Sequence, residues 1–302
     1  VVDEALFWRK YRCPDGSAGK ISTLLFQAML FATSSVFLLG SASPTLDFAD
    51  SHSLFLSKQP KNVDTILFNP RETTSTDEPR YPSSHTPVIN TELTLQRLYE
   101  LGVEKDRFVV AQASLLLTYY STDAERSNNS RWLRTAIRHA KKERAHLYHH
   151  LQPCKKTLDL KRLWWCCMIR DRIISLGMRR PIQITPDEFD LNQPGLSFED
   201  LQEECLQSEV YNPETKVALC RVLASLCHLV VAVTESILLV YPTTHSLPYS
   251  LAERRAQLDR LEETKFALLE WEFSWVANPD GKEYYIHPSL TLYTNLCAIY
   301  YQ

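Results

Sequence analysis

Apolar residues recur along most of this 302-residue chain at spacings of three and four, the period of an α-helix, and no sustained two-residue alternation marks a strand. The pattern predicts an apolar helix over 20–40 ended by Gly40, and another that Asn90 or Thr91 caps, running to Leu101 with Gly102 just past it. Asp106 opens a third, in which Phe108, Val109, Ala113, Leu116 and Tyr120 share a face. A fourth runs from Arg131 to about Leu147. Ser197 stands three residues before Asp200, which is capping-box spacing, and heads a short amphipathic helix. Pro213 starts the longest apolar run, and 250–275 reads as a charged amphipathic helix. Residues 60–90, rich in Thr, Ser and Pro, break the pattern as a loop or disordered insertion. The predicted fold is all-α: a single large irregular helical domain of about eight or more helices over residues 1–302.

The densest stretch is 158–181, LDLKRLWWCCMIRDRIISLGMRRP. On a helix Leu160, Leu163, Trp164, Cys167, Ile174 and Met178 share one face, and Trp165, Cys166, Ile169, Ile173 and Leu176 share another. A helix apolar on two sides is an interior helix, so Lys161, Arg162, Arg170 and Arg172 must run along the seams. Asp171 falls in the middle of the first apolar face. A buried carboxylate needs a partner, so an arginine of this segment or of a facing helix is expected beside it. Gly177, then Arg179, Arg180 and Pro181, form the expected stop.

Composition narrows the class. Only 7 glycines against 16 prolines, with no GxGxxG, Walker or GxSxG pattern, argue against a glycine-loop nucleotide enzyme. The eight cysteines have no CxxC pair or regular spacing and read as free thiols of a reducing compartment. Residues 21–46 lack charge, but Ser22, Thr23, Gln27 and Thr33 to Ser35 dilute them, so a core helix is expected rather than a membrane span. The chain starts without a methionine and stops inside a helical pattern, as a fragment does. From Arg126 to Arg180 there are fifteen Lys or Arg against three acids, and from Pro181 to Thr215 nine acids and no base. The two blocks either face one another across the fold or leave the first free for a phosphate-rich partner.

The run LKRLWWCCMIRDRIISLGMRRPIQITPDEFDL resembles the signature of the middle homology region of fungal zinc-cluster transcription factors. LYELGVEKDRFVVAQASLLLTYY and RWLRTAIRHAKKERAH are similar to that family's neighbouring helices, and STLLFQAMLFATSSVF resembles the N-terminal helix of its cutinase-regulating subgroup. The resemblance covers roughly residues 20–200. It implies an all-helical regulatory domain of a nuclear protein, far from the DNA-binding cluster, that restrains activation or responds to a metabolite. The chain departs from the pattern in lacking the cluster's C-x2-C-x6-C cysteines and in carrying Met178, Arg179, Arg180, Pro181 where the family has Gly-Arg-Pro. The turn HLYHHLQPCKK and the 70–90 insertion differ too. DNA contact is therefore expected only through a domain not present here.

Residue chemistry offers few sites. Tyr119, Tyr120, Trp132, Trp164 and Trp165 either line a ligand pocket or pack as core; His228 reads as a hydrogen-bonded core histidine and Glu235 as a pocket or seam carboxylate. Arg170, Asp171 and Arg172 read as a structural ion network. His146, His149, His150 and Cys154 could ligate a metal, but no fourth ligand with suitable spacing is visible, so no metal and no cofactor are expected. The expected function is regulatory: a small apolar metabolite, or a partner such as a coactivator or second copy, shifts the population of one helical packing over another. The alternative is a stand-alone relative recruited as a metal-free cyclase or isomerase, cytoplasmic rather than nuclear, since a pocket that only shapes its substrate leaves no motif.

Overall fold

The computed structural model describes residues 1–13, 17, 19–40, 94–119, 127–242 and 250–276, with side chains described to Thr33 in the second helix and to Trp271 in the last. Every regular element among them is helical. The helices are α1 (Glu4–Tyr11), α2 (Thr23–Gly40), α3 (Arg107–Leu117), α4 (Asn128–Lys142), α5 (Lys155–Met178), α6 (Phe198–Leu206), α7 (Pro213–Val240) and α8 (Leu251–Val276). A short helical stretch occupies 94–100. A 3-10 turn, Ala145–His150, lies between α4 and α5. The chain divides into two compact units, Leu6–Lys105 and Val1–Ala5 with Asp106–Gln302. The expected 60–90 insertion and Tyr120 lie outside the described residues.

Within the smaller unit α1 and α2 meet through aromatic rings. Phe7 stacks on Phe26 at 6.5 Å between centroids, and Tyr11 at 6.4 Å. Gly102 takes φ +61°, the left-handed residue expected just past the 94–100 helix.

The larger unit is built around α5, which packs against α3, α4, the 3-10 turn and α7. Both predicted apolar faces are covered: Leu160, Leu163, Trp164, Trp165, Cys166, Cys167, Met168, Ile169 and Ile174 are buried in one core with Leu133, Ala136 and Val230. Each seam cation reaches a different neighbour. Lys161 pairs with Asp200 of α6 at 2.6 Å and Arg162 with Glu204 at 2.8 Å. Arg170 donates to the Thr118 hydroxyl at 2.8 Å and the Thr118 carbonyl at 2.7 Å, placing a cation at the negative end of α3. That cap, with Thr118 Oγ1 bonded to the Leu115 carbonyl, ends α3 before the tyrosines the sequence pattern had included. Arg172 donates to Thr234 of α7 at 3.1 Å.

The start signals at Asp106, Ser197 and Pro213 act as read. Asp106 accepts from the Phe108 amide, Ser197 and Asp200 form a reciprocal capping box, and Pro213 opens its helix behind Asn212, a cap the sequence reading did not name, which accepts from the Thr215 amide. The stop of α5 differs. Gly177 stays helical, and Arg179 takes the left-handed position at φ 53°. The Arg180 amide bonds the Ser175 carbonyl, the six-to-one link of a Schellman closure, and the Ser175 hydroxyl bonds back to the Arg180 carbonyl. The next correction concerns α7. Its nearly uncharged stretch from Val222 to Thr234 reads as that of an interior helix, yet α7 buries one stripe, Cys220, Cys227, Val230, Val233, Thr234 and Ile237, and leaves much of the rest half-exposed. It is long and apolar enough to cross a membrane by length and composition, yet its buried stripe packs on α5 and it also contacts α6 and α8. Seven cysteines are described and all are free thiols. Burial pushes the Cys167 thiol well up, and Cys227 up to about 12, as for small core hydrophobes rather than nucleophiles.

The first residues belong to the larger unit. The Val1 carbonyl accepts from Gln112, and Glu4 takes the amides of Glu209 and Val210, the Ser208 hydroxyl and Lys216 Nζ at 2.8 Å. Lys216 also pairs with Glu204 at 2.8 Å. Burial works to raise the Glu4 carboxyl, but Lys216 and the Glu209, Ser208 and Val210 donors overcome it and hold the pKa below its ordinary 4.5. For Lys216, burial works downward, and Glu204 with Glu4 win, so its pKa lies above 10.5. The lowered carboxyl contributes stability above pH 4.5 that is lost as pH falls through its folded value; the raised amine contributes stability below 10.5 that is lost as pH rises through its own. Thermal midpoints are therefore expected to fall as pH drops below 4.5, and to fall less steeply in Glu4→Gln. An identical acid slope in the variant contradicts the clamp.

Candidate functional site

The site is organised by Asp171. It is buried, with 1% of its surface exposed, as is Arg172. One carboxylate oxygen accepts from Arg172 Nη1 at 2.8 Å and from the Ile184 amide at 3.0 Å, and the Gln183 amide lies 2.9 Å and 3.1 Å from the two oxygens. The expected arginine partner is thus the adjacent residue. Neighbours i and i+1 do not share a helix face, so the pair forms because Arg172 extends across the interface to α7 and folds its fork back toward Asp171. Burial raises the Asp171 carboxyl, and Arg172 and the two amides oppose that rise.

These bonds pin the segment after α5, residues 179–184, back along the helix. The same strap is tied to the start of α4. Arg180 donates to the Ser130 hydroxyl at 3.1 Å and Gln183 to the Ser130 carbonyl at 3.1 Å. Between the strap, α4 and the end of α5 lies a cavity of about 660 Å³, within the range of small-molecule sites. Ile137, Ile174 and Ile182 supply apolar wall; Arg134, Arg138, Lys141 and Arg180 supply cationic wall. Lys141 also pairs with Glu188 at 2.7 Å. Nearby His139 is held below its ordinary pKa by burial first, then by Arg138, Lys142 and Arg107.

None of the described residues proposed from sequence as ligand contacts lines this cavity. Trp132, Trp164 and Trp165 are core, with Trp165 donating to the Tyr148 hydroxyl at 3.1 Å. Tyr119 is exposed, with the Arg170 guanidinium 4.0 Å above its ring. His228 is exposed rather than in the core, because it falls on the side of α7 away from the buried stripe. Glu235 is the seam carboxylate of the two readings offered: it pairs with Arg260 of α8. The four potential metal ligands do not assemble. Residues 145–150 form a 3-10 turn, so the i, i+4 face does not exist; His146 packs 5.6 Å from the Trp164 ring and Cys154 is exposed ahead of α5. No group of three or more metal-binding side chains occurs among the described residues.

The cavity residues were missed, although one signal was available. Arg134, Arg138 and Lys141 stand at i, i+4 and i+7, a like-charge stripe that weakens an isolated helix.

Among its described residues the larger unit is all-helical, centred on a two-faced helix with a strap-bounded cavity beside it. Sequence relatives give its class. The chain matches the family described as "Fungal specific transcription factor domain" over residues 1–273. It is 39% identical over 116 residues to cutinase transcription factor 1 beta of Fusarium vanettenii, covering 37% of this chain and 13% of that protein. It is 29% identical over 188 residues to a transcription factor of Fusarium pseudograminearum, covering 61% of this chain and 17% of that protein. No solved structure matches. The chain therefore belongs to the fungal-specific transcription factor domain family, which gives it a part in transcription regulation. It spans less than a fifth of the length of either curated relative.

Removing the anchor leaves Arg172 buried without its carboxylate and two strap amides without an acceptor. Asp171→Ala is expected to lower unfolding stability by about 3–5 kcal/mol, read as a lower urea midpoint. An unchanged midpoint contradicts the anchoring role.

Proposed function

We propose that this chain is a nuclear regulatory domain that governs activation by a longer transcription factor, and that a small ligand entering the cavity beside the strap is its input. The observation that carries this reading is placement. The cavity is bounded on one side by Asp171, Ile174 and Ser175 of the helix bearing the family signature, and on another by the strap that Asp171 fixes. A ligand there touches α4, α5 and the strap together, so it favours one packing of the three over another, which is what a population shift requires. The absence of a six-cysteine cluster in this sequence fits DNA contact made elsewhere in the longer protein. Nothing in the described residues favours the cyclase or isomerase reading.

The test joins the chain to a heterologous DNA-binding module in a fungal reporter strain. Reporter output is expected to change with the nutrient supplied, and Pro181→Trp, which places a bulky ring at an exposed position of the cavity wall, is expected to abolish the change while the thermal midpoint moves by less than about 3 °C. Output that responds equally in the variant and the parent contradicts the cavity as the input.

A further inference from the structure

We infer that α8 is a self-association surface: it pairs with the α8 of a second copy of this chain, antiparallel across a two-fold axis. The inference is independent of the cavity and goes beyond the regulatory reading.

Two sides of α8 are apolar, and the fold uses one of them. Leu268 and Trp271 pack with Leu229, Val233 and Ile237 of α7, and Trp271 donates to the Ser225 carbonyl at 3.0 Å. Thr264 is buried on the same side. At 3.6 residues per turn, Leu251, Leu258 and Leu269 fall within about 20° of one line, about 130° around the helix from that buried side, and Phe266 stands about 60° from the line. These four are 84%, 62%, 50% and 68% exposed, in the order given. Singly scattered apolar residues are ordinary on a surface, whereas an aligned row of large ones marks a contact surface. At roughly 200 Å² for a fully exposed large side chain, the row offers about 500 Å² on each copy. Pairing two rows covers on the order of 1,000 Å², the lower bound of a specific interface.

Charge selects a second copy and sets its direction. Arg254, Arg255 and Asp259 flank the first half of the row, and Glu262, Glu263, Lys265 and Glu270 the second, all of them exposed. One half is net positive and the other net negative. Parallel pairing sets like on like; antiparallel pairing lays each positive half on a negative one and opposes the two helix dipoles. A second copy supplies both the same apolar row and the reversed charge order. With the axis near Glu262, Leu258 of each copy meets Phe266 of the other, Leu269 enters the gap between Leu251 and Leu258, and Arg255 comes beside Glu270. Glu262 then faces its own counterpart, a like-charge pair that weakens the contact. A patch that is complementary to itself across a two-fold axis closes at two copies.

Sedimentation equilibrium of the full chain tests the pairing. Weight-average mass is expected to rise from one copy toward two between about 1 and 300 µM and to stop there. Leu258→Glu with Phe266→Glu is expected to keep single-copy mass throughout and the helical circular dichroism of the parent, both side chains being mostly exposed. Arg255→Glu is expected to weaken association by roughly threefold or more, and adding Glu270→Arg to restore it; Glu262→Gln is expected to tighten it. Single-copy mass of the parent at every concentration, or undiminished association in the Leu258→Glu, Phe266→Glu variant, overturns α8 as the interface. Growth past two copies overturns the two-fold closure, and a charge swap that fails to restore association overturns the antiparallel direction.

Discussion

Asp171 sits where a helix, a returning strap and a second long helix meet, and its carboxylate, 1% exposed, must be satisfied there by protein donors. Two strap amides and one guanidinium do so. The constraint runs in both directions. The carboxylate cannot remain on a buried face without those donors, and it adds to the Ser130 bonds and the buried Ile182 and Ile184 that turn the strap back along α5. Arg172 extends the joint to Thr234 of α7, so one buried pair fixes the relative placement of three segments. The cavity exists because the strap is held against α5 here and against Ser130 of α4 on its other side.

Around that joint, α5 acts as the axis of the larger unit. Its apolar residues leave no free face, and its four seam cations end on three elements: two on α6, one at the end of α3 and one on α7. The two pairs to α6 are largely buried, so each charge depends on its partner being in place. What they supply is register, since each pair is satisfied at one rotation and one height of its helix. The clamp of Glu4 and Lys216 with Glu204 joins the chain start to the same network through Arg162.

Much of this was legible in the residues. Caps at Asp106, Ser197 and Asn212 are local chemistry, and the two-sided apolar pattern of α5 with a misplaced aspartate announced an interior helix with a buried pair. The α5 stop was half legible: the Arg-Arg-Pro ending was visible, but the left-handed residue is Arg179 because the Ser175–Arg180 bonds close the helix just past Gly177. The cavity was not legible, because its walls come from residues some fifty positions apart that are brought together by the strap. Large aromatics drew attention as ligand contacts, yet Trp132, Trp164 and Trp165 were needed to fill the core.

Amide hydrogen exchange at Gln183 and Ile184 tests the central claim most directly. Asp171 holds both amides from within the core, so they are expected to exchange as slowly as the interior amides of α5 although they lie outside any helix, and to lose that protection in Asp171→Asn while α5 keeps its own. Fast, loop-like exchange of these two amides in the unaltered protein would contradict the anchored strap and, with it, the cavity the strap encloses.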